Sequence, residues 1–225
     1  MKQGRTLSEV LVELQHQNTA KRDYIAPATA LRLSDDGETF LMDHVGSKDY
    51  EGLGTTDLFH RQIGSALNIP AKYYDAMRMQ KPELLAENVN SWLSDRDQSY
   101  MIRSMDYGNG RVARAFLSDR YRRIDNMEIA TAVLPLFAGR EEMEVVSCAV
   151  TENRMFIKVV NHRLEAEVVP GDLVQAGVVI SNSEVGLGAV SVQPLVYRLV
   201  CTNGMVVNDF GERRAHVGRQ AKALE

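Results

Sequence analysis

Two cysteines and six prolines in 225 residues, beside sixteen glycines, exclude a disulfide-stapled scaffold and long Pro/Gly-rich disordered tracts. Cys148 and Cys201 each sit in apolar, strand-like sequence (Val-Val-Ser-Cys-Ala-Val and Arg-Leu-Val-Cys-Thr-Asn), the setting of buried, reduced thiols. No apolar run approaches the ~20 residues that a membrane-spanning helix needs, so a cytoplasmic protein without a membrane partner is expected. Basic charge is in deficit, 26 Lys and Arg against 30 Asp and Glu, for a net charge of −4. That balance excludes a globally basic nucleic-acid binder and leaves room for a local basic groove. Neither Gly-x4-Gly-Lys-Ser/Thr nor a Gly-x-Gly-x-x-Gly following a strand occurs, so nucleotide hydrolysis has no support. His16, His44, His60, His162 and His216 are scattered and the two cysteines lie far apart, which does not suit zinc. The expectation is no catalytic residue, no metal and no cofactor.

What is present is arginine. Seven arginines fall between Arg96 and Arg123, five of them in Arg111-Val-Ala-Arg-Ala-Phe-Leu-Ser-Asp-Arg-Tyr-Arg-Arg123, with Tyr107, Phe116 and Tyr121 interleaved. The guanidinium is a planar fork of five donors that matches phosphate or carboxylate, and aromatic rings add stacking platforms for bases. Arg111, Arg114, Arg120, Arg122 and Arg123 are therefore candidate phosphate contacts and Tyr121 a candidate base platform. The competing reading pairs these arginines with Asp106, Asp119, Asp125 and Glu141-Glu142 as surface ion pairs worth about 0–1 kcal/mol each. A second basic stretch, Arg213 to Lys222, either extends such a surface or begins a helix. Asn182, Ser183 and Glu184 follow the apolar run Val178-Val-Ile, where a strand leaves the core; they form either a binding loop or a structural turn. Asp57 and His60, and Glu83 and Glu87, share helix faces, as ordinary solvated pairs also do.

Local signals divide the chain into elements. Leu7, Val10, Leu11 and Leu14 follow Thr6 with Glu9 at capping-box spacing, predicting a helix from about Leu7 to Gln17. Asp35-Asp-Gly-Glu38 separates two short extended runs, a hairpin. Thr55 or Thr56, Pro70 and Pro82 open three successive helices that end near Ser94. Tyr107-Gly-Asn-Gly110 joins two strand-like runs in a second hairpin, and Asp125-Asn126 caps a helix from Met127 to about Phe137. Beyond it the sequence is rich in strands joined by short turns, Asn203-Gly204 among them. The expected fold is α+β, a helical N-terminal half packed on a mainly antiparallel β-sheet, organised as one domain over 1–225. The terminal Leu224-Glu225 matches the pair left by a common cloning site, which predicts an N-terminal fragment of a longer protein.

Leu53-Gly-Thr-Thr56, Asn68-Ile-Pro70-x-x-Tyr-Tyr74, Arg114-Ala-Phe-Leu-Ser-Asp-Arg120-Tyr-Arg-Arg-Ile-Asp125, Ile180-Ser-Asn-Ser-Glu-Val-Gly186, Tyr197-Arg-Leu-Val-Cys-Thr-Asn-Gly-Met205 and His216-Val-Gly218 occur in this order. Together they resemble the phage/plasmid-like protein family called domain of unknown function 932. The resemblance implies a gene of phages and plasmids and a longer C-terminal part, and it brings no catalytic residues. In that context the arginine cluster predicts an accessory protein that binds single-stranded DNA or another single-stranded nucleic acid in recombination or strand annealing. The alternative is a non-enzymatic interaction protein that binds a host protein or forms a homo-oligomer, motivated by Tyr73, Tyr74, Met77 and Met79. A third reading, an enzyme built on Asn182, Ser183, Glu184 and Arg198, has the least support.

Overall fold

The computed structural model describes residues 7–43, 52–170, 172–198, 204–206 and 212–214. Thr6, Cys201, Asn203, His44, the His216-Val-Gly218 motif, most of the second basic stretch and Leu224-Glu225 lie outside the described residues. Two compact units are formed, one from residues 1–18 and 122–218, the other from 19–121 and 219–225.

The expected helical N-terminal half resting on one sheet is corrected by the second unit, which has a six-stranded sheet of its own. Its strands are β1 (Lys21–Pro27), β2 (Leu31–Leu33), β3 (Thr39–Met42), β4 (Leu53–Thr55), β5 (Ser99–Asp106) and β6 (Arg111–Ser118), in the order β1-β5-β6-β4-β3-β2. The fold remains α+β, but two sheets dominate it. The sequence hides β1 because it opens on Lys-Arg-Asp and closes on Pro27, a composition that suits an edge strand and reads as loop. Strands β2 to β4 are three or four residues long, too short for a period-2 pattern to stand out.

The three expected helices are present as α2 (Asp57–Ala66), α3 (Ala71–Gln80) and α4 (Pro82–Ser94). The Thr56 hydroxyl caps α2 by accepting from the Phe59 N–H at 3.2 Å, and Pro82 occupies the first turn of α4, where its missing N–H costs nothing. Phe59, Ile63, Leu85, Val89 and Leu93 from these helices are buried against Phe40, Ile102 and Phe116 of the sheet. Phe40 and Phe59 meet edge-to-face with centroids 4.8 Å apart, and Phe59 meets Phe116 at 5.7 Å. Such pairs add about 0.5–1.5 kcal/mol each beyond the apolar area they bury.

The first unit holds α1 (Leu7–Ala20, its last two residues excepted), α5 (Asn126–Phe137) and the strands β7 (Met143–Val150), β8 (Met155–Val169), β9 (Asp172–Asn182), β10 (Val190–Arg198), β11 (Gly204–Val206) and β12 (Glu212–Arg214). Their order is β11-β10-β9-β8-β7, with β12 also paired to β10, and every pairing is antiparallel. Arg213 and Arg214 thus belong to a strand, β12, and do not begin a helix. Val10 and Leu14 of α1 and Ile129 and Ala130 of α5 are buried with Met155, Ile157, Val159 and Ile180 of the sheet. Gly177 of β9 is required by close approach: a Cβ there would stand 2.2 Å from the Val159 carbonyl oxygen.

Candidate nucleic-acid interface

Strand β6 carries two of the five clustered arginines and decides where the rest fall. Alternation along Arg111 to Leu117 would put Ala113 and Phe116 on opposite faces. In the structure Arg103 pairs with Ala115 and Ser104 with Ala113, so Arg114 is an extra residue in a β-bulge and Ala113 and Phe116 enter the same core. Arg114 is 4% exposed. Arg103, on β5, is fully buried and donates from Nε and Nη2 to the two carboxylate oxygens of Asp23 at 2.9 and 3.1 Å. Asp23 is its direct partner across the β1–β5 ladder. Arg111 is half-buried and donates from Nη1 to the Ala20 carbonyl at 3.0 Å and the Ser104 hydroxyl at 3.2 Å.

Past the strand the picture changes. Arg120, Arg122 and Arg123 are exposed, whereas Tyr121, at 9% exposure, is buried and has no face to offer a base. Arg111 opens β6 and Arg120 follows its end at Ser118, and the strand between them is roughly 24 Å long at about 3.4 Å per residue. The sequence cluster is therefore two groups: Arg111 at the hairpin end, and the three exposed arginines on the link between β6 and α5.

The loop formed by Asn182, Ser183 and Glu184 is a structural clasp. All three residues are buried, at 2, 1 and 5% exposure. The Glu184 carboxylate accepts from the Asn126 N–H at 2.8 Å, which puts a negative charge at the N-terminus of α5, where the helix dipole favours it. The Asn182 amide donates to the Ile124 carbonyl at 3.0 Å and to Asn126 Oδ1 at 2.8 Å, and Ser183 Oγ accepts from the Leu187 N–H at 3.0 Å. This is the turn-and-cap reading of the motif.

Asp57 and His60 share no hydrogen bond. Asp57 is held by Arg78 at 2.8 Å, and the same guanidinium grips both carboxylate oxygens of Glu38 at 2.8 and 2.9 Å. His60, 2% exposed, meets Thr55 Oγ1 through Nε2 at 2.7 Å and Tyr74 Oη through Nδ1 at 2.8 Å. The Thr55 hydroxyl gives its one proton to the Glu38 carbonyl, so it accepts from Nε2–H, and Nδ1 accepts from the Tyr74 hydroxyl. His60 is thereby a neutral imidazole in one tautomer. Burial, followed by the charge of Arg78, pushes its pKa down to about 4 against the upward pull of Glu38 and Asp57. Burial likewise pushes Tyr74 up, and the hydrogen bonds from Arg78 hold Glu38 and Asp57 below the usual carboxylate range. Nothing in the sequence around His60 marks Glu38, Thr55, Tyr74 and Arg78 as its neighbours, because they come from three separate segments: the β2–β3 turn, β4 and α3.

No group of three or more His, Cys, Asp or Glu among the described residues has the geometry of a metal site, and no described helix is long and apolar enough to cross a membrane. Glu83 and Glu87 both stand exposed on α4.

The class these features define is an α+β protein with two sheets, whose strongest chemical features are arginines and whose buried polar groups serve the fold. The family described as domain of unknown function (DUF932) matches residues 114–221, so that part of the chain is similar to this family. No curated protein and no solved structure matches the chain.

Proposed function

We propose that the chain binds single-stranded nucleic acid as an accessory protein of a mobile element, in recombination or strand annealing, with Arg120, Arg122 and Arg123 as phosphate contacts. One observation supports the reading: three exposed arginines lie within four positions of an acidic chain, while Arg103 and Arg114 are buried and Arg111 is half-buried. Guanidinium groups in water can neutralise phosphates and release counterions; buried ones serve the fold. Arg111, Arg114 and Tyr121 leave this set of contacts.

The test is fluorescence anisotropy of a labelled single strand of about 40 nucleotides, and of its duplex, over a range of salt concentrations. The strand binds more tightly than the duplex, and the triple replacement of Arg120, Arg122 and Arg123 by alanine lowers the slope of log K against log salt by about 2, at roughly 0.7 per phosphate. An unchanged slope removes these contacts. No binding at low salt removes the function and favours a protein partner, for which α3 supplies the surface: Tyr73 is 49% and Met79 84% exposed, whereas Tyr74 and Met77 are buried.

A further inference from the structure

The antiparallel pairing of β1 with β5 brings two basic residues, remote in sequence, to the hairpin end of β6. Lys21 pairs with Met105 and Arg22 with Ser104, and Ser104 in turn pairs with Ala113 of β6. The Ser104 hydroxyl donates to the Arg22 carbonyl at 2.9 Å and accepts from Arg111 Nη1 at 3.2 Å. Directly paired residues of antiparallel strands project to one face, so the Arg22 side chain lies on the side of the sheet on which the Arg111 guanidinium crosses Ser104. The two strands that carry these arginines are separated only by β5, about 10 Å at the usual strand spacing. Both hydrogen bonds of Arg111 run from Nη1, so one corner of the fork anchors the group while the residue stays partly accessible.

Beside this pair stands the β5–β6 turn. Tyr107 is 45% exposed, and the three residues after it are all exposed. Gly108 and Gly110 have φ of 87° and 127°, and a Cβ built on either would meet nothing within 4 Å. The turn is thus a protrusion with open space around its backbone, an aromatic ring at its base and two guanidinium groups on the adjoining sheet face. Asp106 is the acidic residue of the turn, and its carboxylate accepts from the Gly108 N–H at 2.8 Å.

We propose that the Tyr107 hairpin, with Arg22 and Arg111, is a single-strand binding site in which Tyr107 stacks on a base and the two arginines take the flanking phosphates. The inference rests on the single-strand reading above and deepens it, placing the stacking contact on Tyr107 after the burial of Tyr121 removed it from the link. An aromatic ring that stacks on any base, beside cations that track the backbone, is the chemistry of sequence-tolerant single-strand binding. A duplex hides the base faces that Tyr107 needs, so single strands are selected.

The probe is a fluorescein-labelled 20-nucleotide thymidine strand, read by anisotropy with the full chain. Tyr107 and Arg22 are exposed, and far-UV circular dichroism of each variant establishes that the fold is kept before binding is compared. Tyr107→Ala weakens binding by about fivefold or more while Tyr107→Phe retains it, as the stacking energy of a single base dictates. Arg22→Ala lowers the salt slope by about 0.7. In a Trp92→Phe background, Tyr107→Trp supplies the one indole, and its fluorescence is quenched on adding the strand. If the unsubstituted chain binds the strand and these variants bind equally well with no quenching, the Tyr107 site is overturned while single-strand binding stands. If the unsubstituted chain does not bind at all, both are overturned.

Discussion

The buried imidazole of His60 makes the stability of the second unit depend on pH in a window where few other side chains titrate. Unfolded, the residue takes a proton at its ordinary value of 6.5; folded, it does so only at about 4. Between those values the unfolded state holds more protons, so stability falls as pH drops. The contribution is whole above pH 6.5 and is lost progressively as pH falls through the folded value. Linkage over this 2.5-unit separation gives a loss of about 2 kcal/mol between pH 7.5 and 5.0, approaching about 3 kcal/mol below pH 4. Glu38 and Asp57 are both held below the usual carboxylate range and stay ionised across the upper part of the window. Urea unfolding followed by the fluorescence of Trp92, the sole tryptophan and a residue of α4, isolates this unit. The comparison is His60→Gln, whose amide can donate to Thr55 and accept from Tyr74 without titrating. The unsubstituted chain loses about 2 kcal/mol more than the variant between pH 7.5 and 5.0. Equal losses in the two proteins would refute the assignment of a neutral, buried His60 to the fold.

Four other outcomes follow from named contacts. Asp23→Ala removes the two hydrogen bonds that the Asp23 carboxylate accepts from the fully buried Arg103 and costs about 3–5 kcal/mol, whereas Asp23→Leu combined with Arg103→Met recovers most of that loss, both by Trp92-detected unfolding. Gly177→Ala drives a methyl group to within 2.2 Å of the Val159 carbonyl oxygen and destabilises β8 and β9 by about 2 kcal/mol or more, read as faster amide exchange in both strands. Glu184→Ala removes the acceptor at the start of α5 and costs about 1–3 kcal/mol by amide exchange at Asn126, with nucleic-acid affinity unchanged; lost affinity in a folded variant would return the loop to the binding surface. In a Cys201→Ser background, Cys148, whose thiol burial pushes up to about 11, reacts with a disulfide reagent only after denaturation.

What the sequence made legible was local. The β2–β3 hairpin turns at Gly37, which has φ of 70°, the left-handed conformation that the Asp-Gly pair predicts; the β5–β6 hairpin turns through Gly108 and Gly110 for the same reason. The Thr56 cap, Pro82 and the capping box at Asp125, where the Glu128 carboxylate accepts from the Asp125 N–H at 2.9 Å, each mark a helix start from within three residues. What stayed hidden was set at long range. β1 becomes a strand by pairing with β5, and β4 pairs parallel to β6 across more than fifty residues, so neither register has a local code.

The arginine cluster shows what that difference does to a functional reading. Density along the chain is a one-dimensional quantity, whereas binding needs charge that is both exposed and close in space. β6, roughly 24 Å long, separates Arg111 from the link that carries Arg120, and its bulge turns Arg114 into the interior. β5 delivers Arg103 to Asp23, a partner eighty positions away. The same pairing that buries Arg103 sets the next residue of β1, Arg22, beside Ser104 and on the face that Arg111 crosses. The register that removes one arginine from solvent thus brings a different one, invisible as part of any sequence cluster, to the foot of the Tyr107 hairpin. Candidate contacts are accordingly chosen by strand register and exposure, and on those grounds Arg22 and Tyr107 stand ahead of Arg114 and Tyr121.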